Sequence, residues 1–158
     1  LCVAQIPADV PVHLHQVYHL SRNEPRQKIE KLLSYFVTDY ADRGSVLWKQ
    51  GAESDRAVLL VRGRLQHVLE EENETIELVY PGHLVGEFGL LNQQIRAGTL
   101  TAIQDSELLV LHQEAFERMQ RNDPYLALVF AKICMVSGWS DTSSAVVCVW
   151  EKRRCAAG

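Results

Sequence analysis

The chain has 158 residues, 47% of them hydrophobic, enough for a single domain with a sizeable core. A formal net charge of −4 excludes the broad basic face that nucleic-acid binding requires. Cys2, Cys134, Cys148 and Cys155 lack CxxC spacing, no apolar run approaches the roughly 20 residues that span a bilayer, and no basic-then-apolar signal segment opens the chain.

Those cysteines exclude a disulfide framework and point to a reducing, cytoplasmic setting for a soluble domain. Opening at Leu1, the chain reads as a fragment or a processed product of something longer. Residues 1–24 form a lead segment in which His13, His15 and His19 have a spacing that suits one metal ion. The preferred reading is an amphipathic lead whose Leu14, Val17, Tyr18 and Leu20 pack on the domain, so no metal is expected.

From Pro25 to Val37, a proline in the first turn and Ile29, Leu32, Leu33 and Phe36 at helical spacing predict an amphipathic helix. The pattern then changes to short runs of strand length: Ser45 to Trp48, Ala57 to Val61, Arg64 to Leu69 and Thr75 to Tyr80. Gly51, Gly63 and Gly82 punctuate them, and Glu70-Glu71-Glu72-Asn73-Glu74 reads as a solvated hairpin connection. Two further strands, Thr99 to Ile103 and Glu107 to Leu111, flank a polar turn; a helix over Glu114 to Arg121 and another from Asp123-Pro124 follow, the second carrying Leu126, Val129, Phe130 and Ile133. This order predicts a mainly β fold with flanking helices, a jelly-roll-like β-barrel or β-roll with an N-terminal helix, a short cassette helix and C-terminal helices.

The chemistry concentrates in Gly86-Glu87-Phe88-Gly89-Leu90-Leu91 and the following Arg96-Ala97-Gly98-Thr99. Glycines at 86 and 89 let backbone N–H groups approach an anion at the first turn of a short helix, and Arg96 can close on it bidentately. That combination suits a sugar phosphate.

Gly44, Leu47, Gln50-Gly51, Asp55, Leu60, Gly63, Pro81-Gly82, Gly86-Glu87, Leu90-Leu91, Arg96-Ala97 and Ala102 together resemble the cyclic nucleotide-binding domain of cAMP receptor proteins, kinase regulatory subunits and gated channels. The resemblance covers residues 25–135. It implies that Glu87 accepts a hydrogen bond from the ribose hydroxyl and that Arg96 pairs with the cyclic phosphate. It also implies that Gly86, Phe88 and Gly89 supply the turn and backbone donors, and that Ala97 and Gly98 let the next strand approach the ligand. cGMP-selective members often carry threonine where this chain has Ala97, so the resemblance leans toward cAMP over cGMP. A competing reading pairs Glu87 with Arg96 across a surface loop. Ala52 and Val58 depart from residues common in the family.

In the family the last helix closes over the purine, which assigns residues 136–158 to a lid helix or tail. Trp139 and Trp150 are candidate stacking caps there, with hydrophobic docking the alternative for both. Ser137, Gly138 and Asp141 to Ser144 weaken a helix, and the basic cluster Lys152-Arg153-Arg154 reads as a solvated chain end. No helix-turn-helix, nucleophile triad or paired acid is legible, and His67, His83 and His112 are too scattered for a cupin-type metal enzyme. The sequence thus points to a non-catalytic sensory module without a cofactor, whose ligand-dependent helix packing regulates an attached output domain. The alternative is a ligand-free interaction or scaffold domain attached to a membrane protein; Leu84 to Glu87 and Pro124 to Ala127 look similar to domains of sulfate-permease-type transporters.

Overall fold

In the computed structural model, residues 26–70 and 74–137 are described. The lead-segment histidines, Glu71 to Asn73, both candidate cap tryptophans and the basic cluster lie outside them. The first element, α1 (Arg26–Leu33), buries Ile29, Leu32 and Leu33. It is shorter than the sequence pattern predicts: Tyr35 N donates to Leu32 O and Phe36 N to Leu33 O, tightening the last turn, and the chain is extended by Val37. Phe36 still reaches the helix core, edge-on to Phe130 at 6.3 Å, so its apolar spacing outlasts the helix that suggested it.

Eight strands follow: β1 (Val37–Ala41), β2 (Val46–Trp48), β3 (Arg56–Arg62), β4 (Leu65–Leu69), β5 (Glu74–Val79), β6 (Leu84–Val85), β7 (Thr99–Ala102) and β8 (Ser106–His112). The short helix α2 (Glu87–Asn92) sits between β6 and β7, and α3 (Gln113–Asn122) and α4 (Pro124–Ser137) close the described chain. The strands form two antiparallel four-stranded sheets, ordered β1-β8-β3-β6 and β2-β7-β4-β5. This is the mainly β architecture with flanking helices expected from the sequence.

The two sheets face each other across one core, and the helices cover the outer face of the first sheet over another. Val58 and Leu60 of β3 and Leu108 and Val110 of β8 point into the roll with Trp48, Leu65, Val79 and Leu100. The alternating residues Ala57, Leu59, Leu109 and Leu111 point outward to Ile29, Phe116, Phe130 and Ile133. Burial on both faces explains why β3 and β8 read as unbroken apolar runs, whereas β7 alternates.

The helical layer is tied together at the α3–α4 junction. The Asp123 carboxylate accepts from Lys31 Nζ at 2.8 Å and from the Tyr35 hydroxyl, joining the N-terminal helix to the C-terminal pair. Those two donors hold the Asp123 carboxyl below its usual range.

Replacing fully buried Leu60 by alanine in the inter-sheet core is expected to cost about 2–5 kcal/mol in a denaturant titration. Arg62→Ala, whose side chain is 75% exposed beside Glu107, should change stability by less than about 1 kcal/mol.

Candidate functional site

The connection from β6 through α2 to β7 carries the sequence-predicted site residues. Gly86 adopts a left-handed conformation (φ +80°) at the start of α2, and a Cβ there would lie 2.5 Å from Arg96 Nη1 and 2.8 Å from the Trp48 ring. Only glycine satisfies both the backbone angle and the space. Gly89 is packed equally close to Ser54, whose Oγ would meet an added Cβ at 2.1 Å. Glycine here lets α2 lie against the turn before β3.

Arg96 is the centre of the site. Its backbone is stitched to the turn between β2 and β3: Arg96 N donates to Ala52 O at 2.8 Å, and Gly51 N donates to Arg96 O at 2.9 Å. Its side chain is 3% exposed and runs inward, with the guanidinium 3.7 Å from the centroid of the Trp48 ring. Nη2 donates to Arg56 O at 2.6 Å and Nη1 to Gly86 O at 3.3 Å, while Nε is buried without a hydrogen-bond partner. Asp55 Oδ1 lies 3.7 Å from Nη2 on an exposed side chain.

Burial lowers Arg96 to about 10, against the negative charges of Asp55 and Glu87, so it remains a cation at neutral pH. Glu87, the first residue of α2, is 7% exposed. Its charge also reaches Cys134 on α4, whose thiol is pushed up by burial and by Glu87. Both predicted charged residues are therefore interior rather than on a surface loop, and Glu87 acts on Arg96 electrostatically.

The remaining predicted residues are distributed unevenly. Phe88 is 53% exposed, so what it offers the cassette is backbone rather than ring. Ala97 is exposed, and Gly98 is buried against His67, whose ring hydrogen-bonds the Gly98 backbone. Thr99 Oγ1 accepts from Gln50 N at 2.9 Å and donates to Glu70, bonds that reach far along the chain.

Three neighbours were not assigned to this site from the sequence. Trp48 forms the stacking floor under Arg96. His67 meets Trp48 edge-on at 6.4 Å and has a buried Nε2 without a hydrogen-bond partner. Asp55 contributes the nearby carboxylate. Strand alternation placed Trp48 and His67 on some face of their strands, but which face is inner depends on sheet pairing. His83 is half-buried beside Tyr80 and His112 is exposed, so the roll histidines stand apart from one another. Among the described residues no three His, Cys, Asp or Glu side chains are grouped to hold a metal ion.

What the cluster offers is recognition of an anion that also carries hydroxyl groups: a buried cation with an unused donor, a nearby interior carboxylate, and a glycine-lined backbone. The family model for the cyclic nucleotide-binding domain matches residues 39–123, just over half the chain, and the chain belongs to that family. It is 32% identical over 93 residues to lysophospholipase nte1 of Aspergillus fumigatus, a match covering 57% of this chain but 6% of that protein. A cyclic AMP receptor protein of Thermus thermophilus is 29% identical over 104 residues, covering 64% of this chain and 48% of the other. The chain thus spans a small part of the lysophospholipases and about half of the receptor protein. A crystal structure of a cyclic nucleotide-binding domain from Methylobacillus flagellatus KT shares the fold, with TM-score 0.73 and 17% identity over 90% of this chain and 85% of that one. No described helix is long and apolar enough to cross a membrane.

Burial lowers His67 below its ordinary value of 6.5. As pH falls through 6.5 the unfolded chain takes up a proton that the folded chain resists, so folding stability is full above that pH and declines below it. Thermal melts at pH 7 and pH 5 should therefore show a smaller drop for His67→Leu than for the unsubstituted chain; an equal drop would remove His67 as the cause.

Proposed function

We propose that this chain is a regulatory module that binds a cyclic nucleotide and passes the binding event to an attached output domain through its terminal helices. The observation that carries the reading is the interior Arg96 with its unpartnered Nε, set beside the buried carboxylate-bearing start of α2. Removing a guanidinium from water costs several kcal/mol, which stacking and carbonyl contacts offset only in part. An anionic phosphate is the partner that repays the remainder. In this reading Glu87 takes the ribose hydroxyl, and Gly86, Phe88, Gly89, Ala97 and Gly98 supply backbone donors or close approach.

cAMP is favoured over cGMP, because Ala97 offers no hydroxyl to a guanine amino group. The name of the Thermus thermophilus relative, a cyclic AMP receptor protein, supports the same ligand. The short span of the match within the fungal lysophospholipases supports a module acting inside a longer protein. Recognition and not catalysis is the role of the domain itself. Coupling would run through Glu87, whose charge acts on Arg96 of the site and on Cys134 of α4. Ligand can shift those helices only by binding one arrangement better than the other.

A second reading has its own observation. Nη1 and Nη2 of Arg96 already donate to the carbonyls of Gly86 and Arg56, and Trp48 covers the guanidinium face. That self-satisfied arrangement suits a domain that keeps the fold as an interaction or scaffold module of a membrane protein, such as a transporter, without binding a nucleotide.

Isothermal titration calorimetry separates the two. The first reading predicts saturable cAMP binding, tighter than cGMP, and a loss of about 10-fold to 100-fold in affinity for Arg96→Ala as charge-assisted hydrogen bonds disappear, with a smaller loss for Glu87→Ala. A folded protein that binds neither nucleotide at millimolar concentration refutes it and leaves the scaffold reading.

A further inference from the structure

The inner face of the second sheet carries an unusual polar row. Leu100 of β7 stands opposite both Trp48 of β2 and His67 of β4, and His67 stands opposite Glu77 of β5. Directly opposed residues share a face, so the row across the sheet runs Trp48, Leu100, His67, Glu77. Its inward direction is fixed by its neighbours: Leu65 and Val79, two positions along β4 and β5, are opposed to each other and fully buried in the inter-sheet core. Glu77 therefore turns toward the interior, as Val79 does, while Leu78 between them is exposed.

Arg96 lies over the Trp48 end of this row. The Glu77 end is three strand spacings away, roughly 14 Å at about 4.8 Å per spacing. That separation is comparable to the span from the phosphate to the far edge of a purine nucleotide. The cation and the carboxylate thus stand at opposite ends of one interior face, with His67 between them.

The polar atoms at the far end are acceptors. His67 hydrogen-bonds the Gly98 backbone through its ring, and its second nitrogen, Nε2, is buried with no hydrogen-bond partner. Burial keeps this imidazole neutral and also raises the Glu77 carboxyl, the response of an acid withdrawn from water. A ligand N–H group brought to this end would supply the donor that His67 Nε2 lacks and would meet the half-buried Glu77 carboxyl beside it.

Building on the cyclic-nucleotide reading, we infer that His67 and Glu77 are specificity-determining residues that read the base of the nucleotide by accepting the two N–H bonds of an exocyclic amino group. An adenine amino group carries two hydrogens on one nitrogen and satisfies both acceptors together. An oxo group in the same place turns a lone pair toward each of them. The preference for an amino purine therefore has its source at the base end of the face, separately from the absence of a hydroxyl at Ala97.

The test uses cAMP and cyclic inosine monophosphate, which differ at this edge in an amino group beside a bare N1 or an oxo group beside an N1–H, titrated into the unsubstituted chain and into Glu77→Gln and His67→Leu. The unsubstituted chain should bind cAMP at least about 10-fold more tightly, the scale of discrimination when acceptors face the wrong group. Glu77→Gln, close in shape and able to donate through its amide, should bring the ratio toward about one, with cyclic inosine monophosphate gaining affinity. His67→Leu should narrow the ratio by lowering cAMP affinity alone. Equal binding of the two nucleotides by the unsubstituted chain, or an unchanged ratio in both folded variants, overturns this inference while leaving nucleotide binding intact. No binding of either nucleotide overturns the binding reading itself, and this inference with it.

Discussion

A guanidinium held almost entirely out of water is the constraint around which this domain is arranged. Arg96 keeps its charge at 4% exposure because Trp48 lies under it and the Arg56 and Gly86 carbonyls accept from it. Each partner imposes a requirement on the chain. Gly86 must lack a side chain and turn through a left-handed angle, and β2 must place Trp48 on the inner face. The turn after Trp48 must present Gly51 and Ala52 to the Arg96 backbone. Buried ion chemistry is expensive in isolation, and truncating one partner exposes that cost. These residues are therefore best understood as one unit.

That unit touches both hydrophobic cores. Trp48 belongs to the core between the sheets, while Leu90 of α2 belongs to the core under the helices. α2 thus spans the boundary, with Glu87 close enough to both Arg96 and Cys134 to act on each electrostatically. Farther out, Asp123 clamps the α3–α4 junction to Lys31 and Tyr35 of the N-terminal segment.

Much of the fold was legible in the sequence because burial leaves a periodic trace. β3 and β8 are apolar on both faces, β7 alternates, and Leu126, Val129, Phe130 and Ile133 of α4 repeat at helical spacing. β1 left little trace, since in Val-Thr-Asp-Tyr-Ala only Ala41 is buried, and β6 has two residues. α1 was overextended because Phe36 stays in the core after the backbone has left the helix. At the site, local glycine spacing exposed Gly86, Glu87 and Arg96, all within one connection. Trp48, His67 and Glu77 come from three strands and meet only through cross-strand register, which a single sequence does not display.

A crystal structure of the chain with cAMP tests the central claim most directly. The account predicts phosphate oxygens within hydrogen-bond distance of the Arg96 guanidinium, the ribose hydroxyl on Glu87, and the ligand lying along the inner face of the second sheet. A nucleotide bound elsewhere, with Arg96 still closed on Arg56, Gly86 and Trp48, would contradict it.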